Sequence, residues 1–366
     1  MKVALVGDWP PPLGGVSVHV AALARALRAR GIEVRVLDVG RGGHSGDGVV
    51  PARGAARAIP ALARAAAEGF VVHAHTNGAN ARSWALAAAA GRARLPGAPR
   101  AVLTLHSGLL PAWLAARRAR QAVARAACAP FGRIVAVSDA IARALGAAGV
   151  APGAIAIQPA FLGVELTPGT LPGAIEALAP RAPLFCAAVA PGPTYGEDVL
   201  VAAFAAVRAR YPDAALALFG RGSERGPGAA AGLARGVVAL GEVDHPSALA
   251  VVARADVFVR ATRADGDALS VREALALGRA VVASDVGHRP PGCLLFRAGD
   301  PVALAAGMLE AVEPGTRPRP AVVTGPDPVD ALVALYRSVT AGERTNGAPP
   351  LPSDSARVGE APSSGP

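Results

Sequence analysis

Short apolar strands alternate with amphipathic helices along almost the whole chain, and this alternation restricts the fold more than any other feature. KVALVGD, EVRVLDV, FVVHAHT, AVLTLH, RIVAVS and IAIQPA each carry four to eight mostly apolar residues. Between them lie patterns such as VHVAALARALRARG, with Ala and Leu spaced i, i+3, i+4 and Arg on the opposite face. Continuous apolar strands separated by helices predict an α/β fold, a doubly wound parallel sheet covered on both faces. The alternation breaks at 162–182, where Pro and Gly crowd, and restarts with LFCAAV, AALALFG, VVALGEV, VFVRAT, AVVAS and CLLF.

At 366 residues the chain is too long for one ordinary core. The expected organisation is a first Rossmann-like domain at 1–161, a linker at 162–182 and a second Rossmann-like domain at 183–325. A terminal amphipathic helix follows at 326–342, then a tail at 343–366 whose Pro, Ser and Gly content predicts disorder. Two such sheets bring their strand C-terminal ends to a common cleft, where open α/β sheets bind ligands.

A net charge of +10 favours anionic partners. Nucleic acid is not expected, because no basic stripe is interleaved with aromatic residues. Lys2 is the only lysine, so the arginine excess also fits a GC-rich genome. Cys128, Cys186 and Cys293 lie far apart without CxxC spacing, which points to a reducing compartment and no zinc knuckle. No secretory leader and no apolar run of about 18 residues is present, so a cytoplasmic location is expected.

Three places carry candidate chemistry. Gly14 and Gly15 precede a helix; they either let backbone N–H groups approach a phosphate or sugar, or serve a turn needing positive φ. The spacing is not GxGxxG and Asp38 is weakly placed for a ribose, which disfavours a nicotinamide-dependent oxidoreductase. His73, His75 and His106 fall at strand ends, facing the cleft. A His-x-His pair invites a metal reading, but two ligands without an evident third acid or cysteine make a weak site, so no metal is expected. His73 lies deeper in its strand and reads as structural. The third place is DGDALSVREALALGRAVVASD, from Asp265 to Asp285. Ser270 and Glu273 have the spacing of a capping box. Glu273 is equally suited to accept ribose hydroxyls, with Leu269 and Ser270 offering helix N-terminal amides to a diphosphate. Gly278 reads as the C-cap.

Together these segments resemble the retaining glycosyltransferases of family 4, with the GT-B fold, over the length to about residue 340. PPPLGGVSVHVAALARALRARGIEVRVL, VVHAHT, TLHS, IVAVSDAIARAL and YGEDVLVAAFAAVRARYPDAALALFGRG resemble successive segments of that family. DGDALSVREALALGRAVVASDVG resembles its Glu, seven residues, Glu signature, with Asp265 in the first acid's place. The resemblance implies a nucleotide-diphosphate sugar donor, metal-independent transfer and no cofactor. It implies roles for Glu273 at the ribose, Asp265 at the donor sugar, Leu269 and Ser270 at the diphosphate, Gly15 near the phosphate or sugar, and His106 near the reacting sugar. The family's Gly-Arg and Lys-Gly are here Val189-Ala190 and Tyr195-Gly196, so two cations that neutralise the leaving diphosphate are replaced. Arg221, Arg260, Arg263 and Arg289 are candidates to substitute, with Arg263 or Arg289 preferred.

The acceptor, a sugar or a lipid-linked sugar, is not legible. The basic pattern 111–133, with Trp113 and Leu114 near its start, fits either contact with an anionic membrane or a solvated arginine face. Cell-surface polysaccharide or glycolipid synthesis is the expected setting. Alternative readings are a non-catalytic sugar-nucleotide-binding protein of the same fold and a nucleotide-sugar epimerase.

Overall fold

A computed structural model describes residues 1–342 except 12, 94–95, 161–165, 179–181, 233–234 and 314–326. The predicted tail at 343–366 and parts of the predicted linker therefore lie outside the described residues. The first sheet contains β1 (Lys2–Gly7), β2 (Glu33–Asp38), β3 (Val49–Pro51), β4 (Val71–Thr76), β5 (Val102–Leu105), β6 (Arg133–Ala136) and β7 (Ile155–Ile157). Its order is β3-β2-β1-β4-β5-β6-β7, and every pairing is parallel. The second contains β8 (Leu184–Ala188), β9 (Ala215–Phe219), β10 (Val237–Ala239), β11 (Val257–Arg260), β12 (Ala280–Ser284) and β13 (Cys293–Phe296). It is again parallel, in the order β10-β9-β8-β11-β12-β13. In both sheets the order reverses beside the first strand, which opens a crevice at the strand ends.

All twelve expected strands form, with β7 and β10 much shorter than their apolar runs, and β3 is an additional strand. β3 has three residues and ends in Pro51, which cannot donate to a ladder, so it is confined to the sheet edge. So short a segment carries no period.

The predicted linker is partly a packed element. Gly173–Glu176 forms a helical turn whose Ile175 is fully buried with Leu184, Cys186 and Phe258 of the second unit. The Gly169 amide donates to the Pro246 carbonyl. The terminal helix runs over Pro328–Thr340 and returns to the first unit, where Val329, Leu332, Tyr336 and Val339 pack with Val3, Leu5, Val20 and Leu27. The Gln158 amide donates to the Pro328 carbonyl at 2.6 Å. Burying a large apolar side chain contributes about 1.5–3 kcal/mol, so this helix is part of the first unit's core. Among the described residues no helix is long and apolar enough to cross a membrane.

Candidate active site

The site is built where the two sets of strand ends meet. On the first unit's side, the Gly15–Ala29 helix starts just after β1. Gly14 is its N-cap in extended backbone, with its amide donating to Ser17 Oγ at 3.0 Å. Neither Gly14 nor Gly15 adopts positive φ, so the tight-turn explanation fails. Both are exposed, and a Cβ on Gly15 would meet nothing within 4 Å. The helix thus presents bare backbone beside open space, an arrangement suited to an anion or a sugar.

One helical turn on, His19 turns inward and meets the strand-end histidines. Ring centroids lie 5.4 Å apart for His19 and His75, 5.0 Å for His19 and His106, and 5.4 Å for His75 and His106. His75 Nδ1 and His106 Nε2 share a hydrogen bond of 3.2 Å. His73 uses both nitrogens, Nδ1 with the Tyr336 hydroxyl and Nε2 with Thr104 Oγ1, each at 2.7 Å. It is the structural histidine expected from its depth. Burial lowers His19 to about 4 and His73 to about 3, the latter helped by the charge of His19, and holds His75 and His106 well below the ordinary histidine value. The cluster is uncharged near neutrality. Sequence alone offers two adjacent histidines and no third ligand; the fold brings His19 and His106 alongside His75.

On the second unit's side, β11 leads through the 261–268 loop into the Leu269–Ala276 helix. Asp265 Oδ2 accepts from Arg260 Nε at 2.9 Å, Arg289 Nη1 at 3.1 Å and the Thr262 hydroxyl at 3.2 Å, while Oδ1 accepts from the Gly266 amide. Burial pushes this carboxyl up, but the two guanidiniums outweigh it and hold it below the usual range. Asp265 is therefore clamped within its own domain. Arg289 is almost wholly buried and also binds Ser284 O and Ser284 Oγ. Two cations on one carboxylate leave a net positive charge at the loop. Arg260 lies over the Tyr195 ring at 5.3 Å, next to the position where the family carries lysine. Arg263 lies on the exposed rim, bidentate to Asp198 at 2.8 and 2.6 Å. Arg221 is exposed after β9 and forms no salt bridge among the described residues.

Glu273 is buried and accepts from His245 Nε2 at 2.7 Å. The capping-box reading fails: Ala268 is the N-cap, Leu269 begins the helix, and no side chain caps it. Ser270 falls one position inside the helix, so its hydroxyl cannot play the capping part.

The two halves touch at the loop itself. Gly266 lies so close to the His106 carbonyl, and Gly108 to the Asp265 backbone, that a Cβ on either would overlap its neighbour. Asp267 Oδ2 accepts from the Ala160 amide of the first unit at 2.8 Å, while Arg272 holds the same carboxylate from the second. His106, Asp265 and the start of the Leu269 helix are thereby brought together. His19, His245 and Asp267 complete the site without having been expected from sequence. The signal for His19 was its place four residues after Gly15, on the helix's apolar face, and that for Asp267 was its place inside the acidic stretch 265–285; His245 carried none.

Two parallel α/β units meeting at their strand ends, with a helix tip, an acid signature and cationic side chains at the junction, define a glycosyltransferase of the GT-B type. Residues 13–162 match Glycosyltransferase Family 4 and residues 181–313 match Glycosyl transferases group 1, and the chain belongs to this family. A comparison with curated protein sequences finds no match. Among solved structures, sucrose-phosphate synthase from Thermosynechococcus elongatus is similar with a TM-score of 0.67 and 21% identity, over 93% of this chain and 100% of that one. Anabaena HepE in complex with UDP gives 0.61 and 18%, over 93% and 98%. The α,α-trehalose 6-phosphate synthase from Burkholderia multivorans gives 0.64 and 14%, over 93% and 99%. At these identities the likeness concerns the fold.

Proposed function

We propose that this glycosyltransferase takes a UDP-sugar as donor and transfers the sugar, with retention of anomeric configuration, to a sugar or lipid-linked acceptor in cell-surface polysaccharide or glycolipid synthesis on the cytoplasmic side. The observation that carries the donor reading is the excess positive charge at the loop: Arg260 and Arg289 share Asp265 beside the start of the Leu269 helix. A departing diphosphate gains negative charge, and preorganised cations and amides stabilise it. The choice of UDP is supported by HepE, which was solved with UDP, with UDP and glucose, and with UDP-glucose.

In this reading Glu273, oriented by His245, accepts from the ribose hydroxyls. The amides of Leu269 and Ser270 hold the diphosphate. Gly14 and Gly15 let the phosphate or sugar come close to the first unit, and neutral His106 donates or accepts at the sugar. The bond between C1 and the diphosphate oxygen breaks on the face that the acceptor hydroxyl enters. The leaving oxygen takes the acceptor proton, so no side-chain base is required. This agrees with an Asp265 whose oxygens are already engaged. Asp265 contributes by holding the loop and its two arginines, and no divalent ion bridges the diphosphate. Arg289 and Arg260 supply the charge rather than Arg263, which Asp198 neutralises.

A thermal-shift panel of UDP-, GDP- and ADP-glucose tests the donor. At about 100 times its dissociation constant a ligand stabilises by roughly 2.7 kcal/mol. The UDP-sugar is expected to raise Tm, with a smaller rise in Arg289→Ala. No shift with any of the three, or an undiminished shift in that variant, would overturn the assignment.

A further inference from the structure

Four of the seven histidines converge at the ends of β4 and β5, and His73 among them has both nitrogens engaged within the first unit's core. One ring nitrogen from each of His19, His75 and His106 lies within 4.8 Å of the other two. Tetrahedral zinc–nitrogen bonds of about 2.0–2.1 Å place ligand nitrogens roughly 3.3 Å apart. The His75 Nδ1 to His106 Nε2 distance, 3.2 Å, already has that value. The His19 nitrogen lies within 4.8 Å of both, so a shift of its ring toward the pair completes the set. His75 is almost fully buried, and the nitrogen it turns toward His106 is Nδ1, so the pair would exchange its hydrogen bond for two bonds to the ion.

We propose that His19, His75 and His106 form a binding site for a first-row divalent ion of the zinc class, in the floor of the cleft. Three neutral imidazoles suit Zn²⁺, Co²⁺ and Ni²⁺ and leave a fourth coordination position for water or a substrate oxygen. Burial favours the neutral form that a metal needs, and His73, fixed by Tyr336 and Thr104, packs under His75 with ring centroids 4.0 Å apart. The ligands come from three separate elements, one helix and two strands, so an ion would tie the Gly15–Ala29 helix to the sheet. It would also occupy His106, and so compete with a donor sugar; this consequence rests on the proposed transfer, whereas the binding itself does not.

The test uses the full chain, untagged, stripped with chelator and titrated with Co²⁺ in the absence of donor. The expected result is one Co²⁺ per chain with the visible absorption bands of a four- or five-coordinate nitrogen site, displaced by Zn²⁺. The bands are expected to vanish in His19→Asn and in His75→Asn, and to persist in His44→Asn, which lies outside the cluster and pairs with Asp38. Absence of the bands in the wild-type chain, or their survival in both cluster variants, would overturn the site, and the wild-type measurement decides even if a variant fails to fold.

Discussion

In the proposed donor site, single side chains of the second unit set the contacts. Glu273 is expected to carry donor affinity: losing a hydrogen bond to a charged group costs roughly 1.5–3 kcal/mol, so Glu273→Ala should weaken UDP-sugar binding by about 10- to 150-fold. Calorimetric titration measures this, and an unchanged dissociation constant would remove Glu273 from the donor site. Gly196 is a structural counterpart. Its φ of 65° is left-handed, and a Cβ there would overlap the carbonyl oxygen of Ala261. Gly196→Ala should cost more than about 1 kcal/mol, seen as a lower urea midpoint with an unchanged slope. The acid signature was legible in sequence because Asp265 and Glu273 flank a helix start. The partners of those acids were not. His245 lies 28 residues from Glu273, and Arg289 lies 24 from Asp265; the first pairing depends on two helices packing side by side and the second on the adjacent strands β11 and β12, not on local spacing.

Among the elements, the Pro328–Thr340 helix has the widest influence. Tyr336 is fully buried, and its hydroxyl is shared with His73. Tyr336→Phe leaves a buried imidazole nitrogen unpaired, which costs about 1–3 kcal/mol and should appear as reduced stability in urea. The helix itself was readable from its period, but its destination was not, because an apolar stripe does not name the surface that covers it. The basic segment behaves differently from its sequence. It forms two helices, Leu110–Ala115 and Arg118–Cys128. Trp113 stacks on Trp84 at 6.1 Å beneath Arg120, and Leu114 is buried, so neither is free to enter lipid. The surface that remains has Leu109 and Val123 exposed with Arg117, Arg118 and Arg125. If this face meets an anionic bilayer, the chain should co-sediment with phosphatidylserine vesicles at low salt and be released at high salt. Substituting glutamate at the three arginines should abolish the pelleting; wild-type protein left in the supernatant at low salt would exclude the contact.

For the molecule as a whole, the buried histidines set an acid limit. His19 and His73 have folded-state values of about 4 and about 3, below the ordinary 6.5, so the unfolded chain takes up their protons first as pH falls. Stability is accordingly complete above the unfolded value and declines below pH 6.5 toward 4, by roughly 1.4 kcal/mol per pH unit for each titrating histidine. His75 and His106 act in the same direction. Urea midpoints between pH 7.5 and 5 measure the slope, which His19→Asn should lessen. Two doubly wound domains were legible because strand and helix periods alternate so regularly. The contact between them was not, since it rests on glycines, Gly108 and Gly266, that have no side chain to announce it. The return of the last helix also bears on motion. The polypeptide passes between the halves once after β7 and again before Pro328, so the halves are tethered at two points. Bodies so tied can swing apart about the line joining the tethers, but they resist sliding or twisting. Substrate entry should therefore resemble the opening of a book, with the Asp267 contact to Ala160, the residue just before the first crossing, lying at the spine.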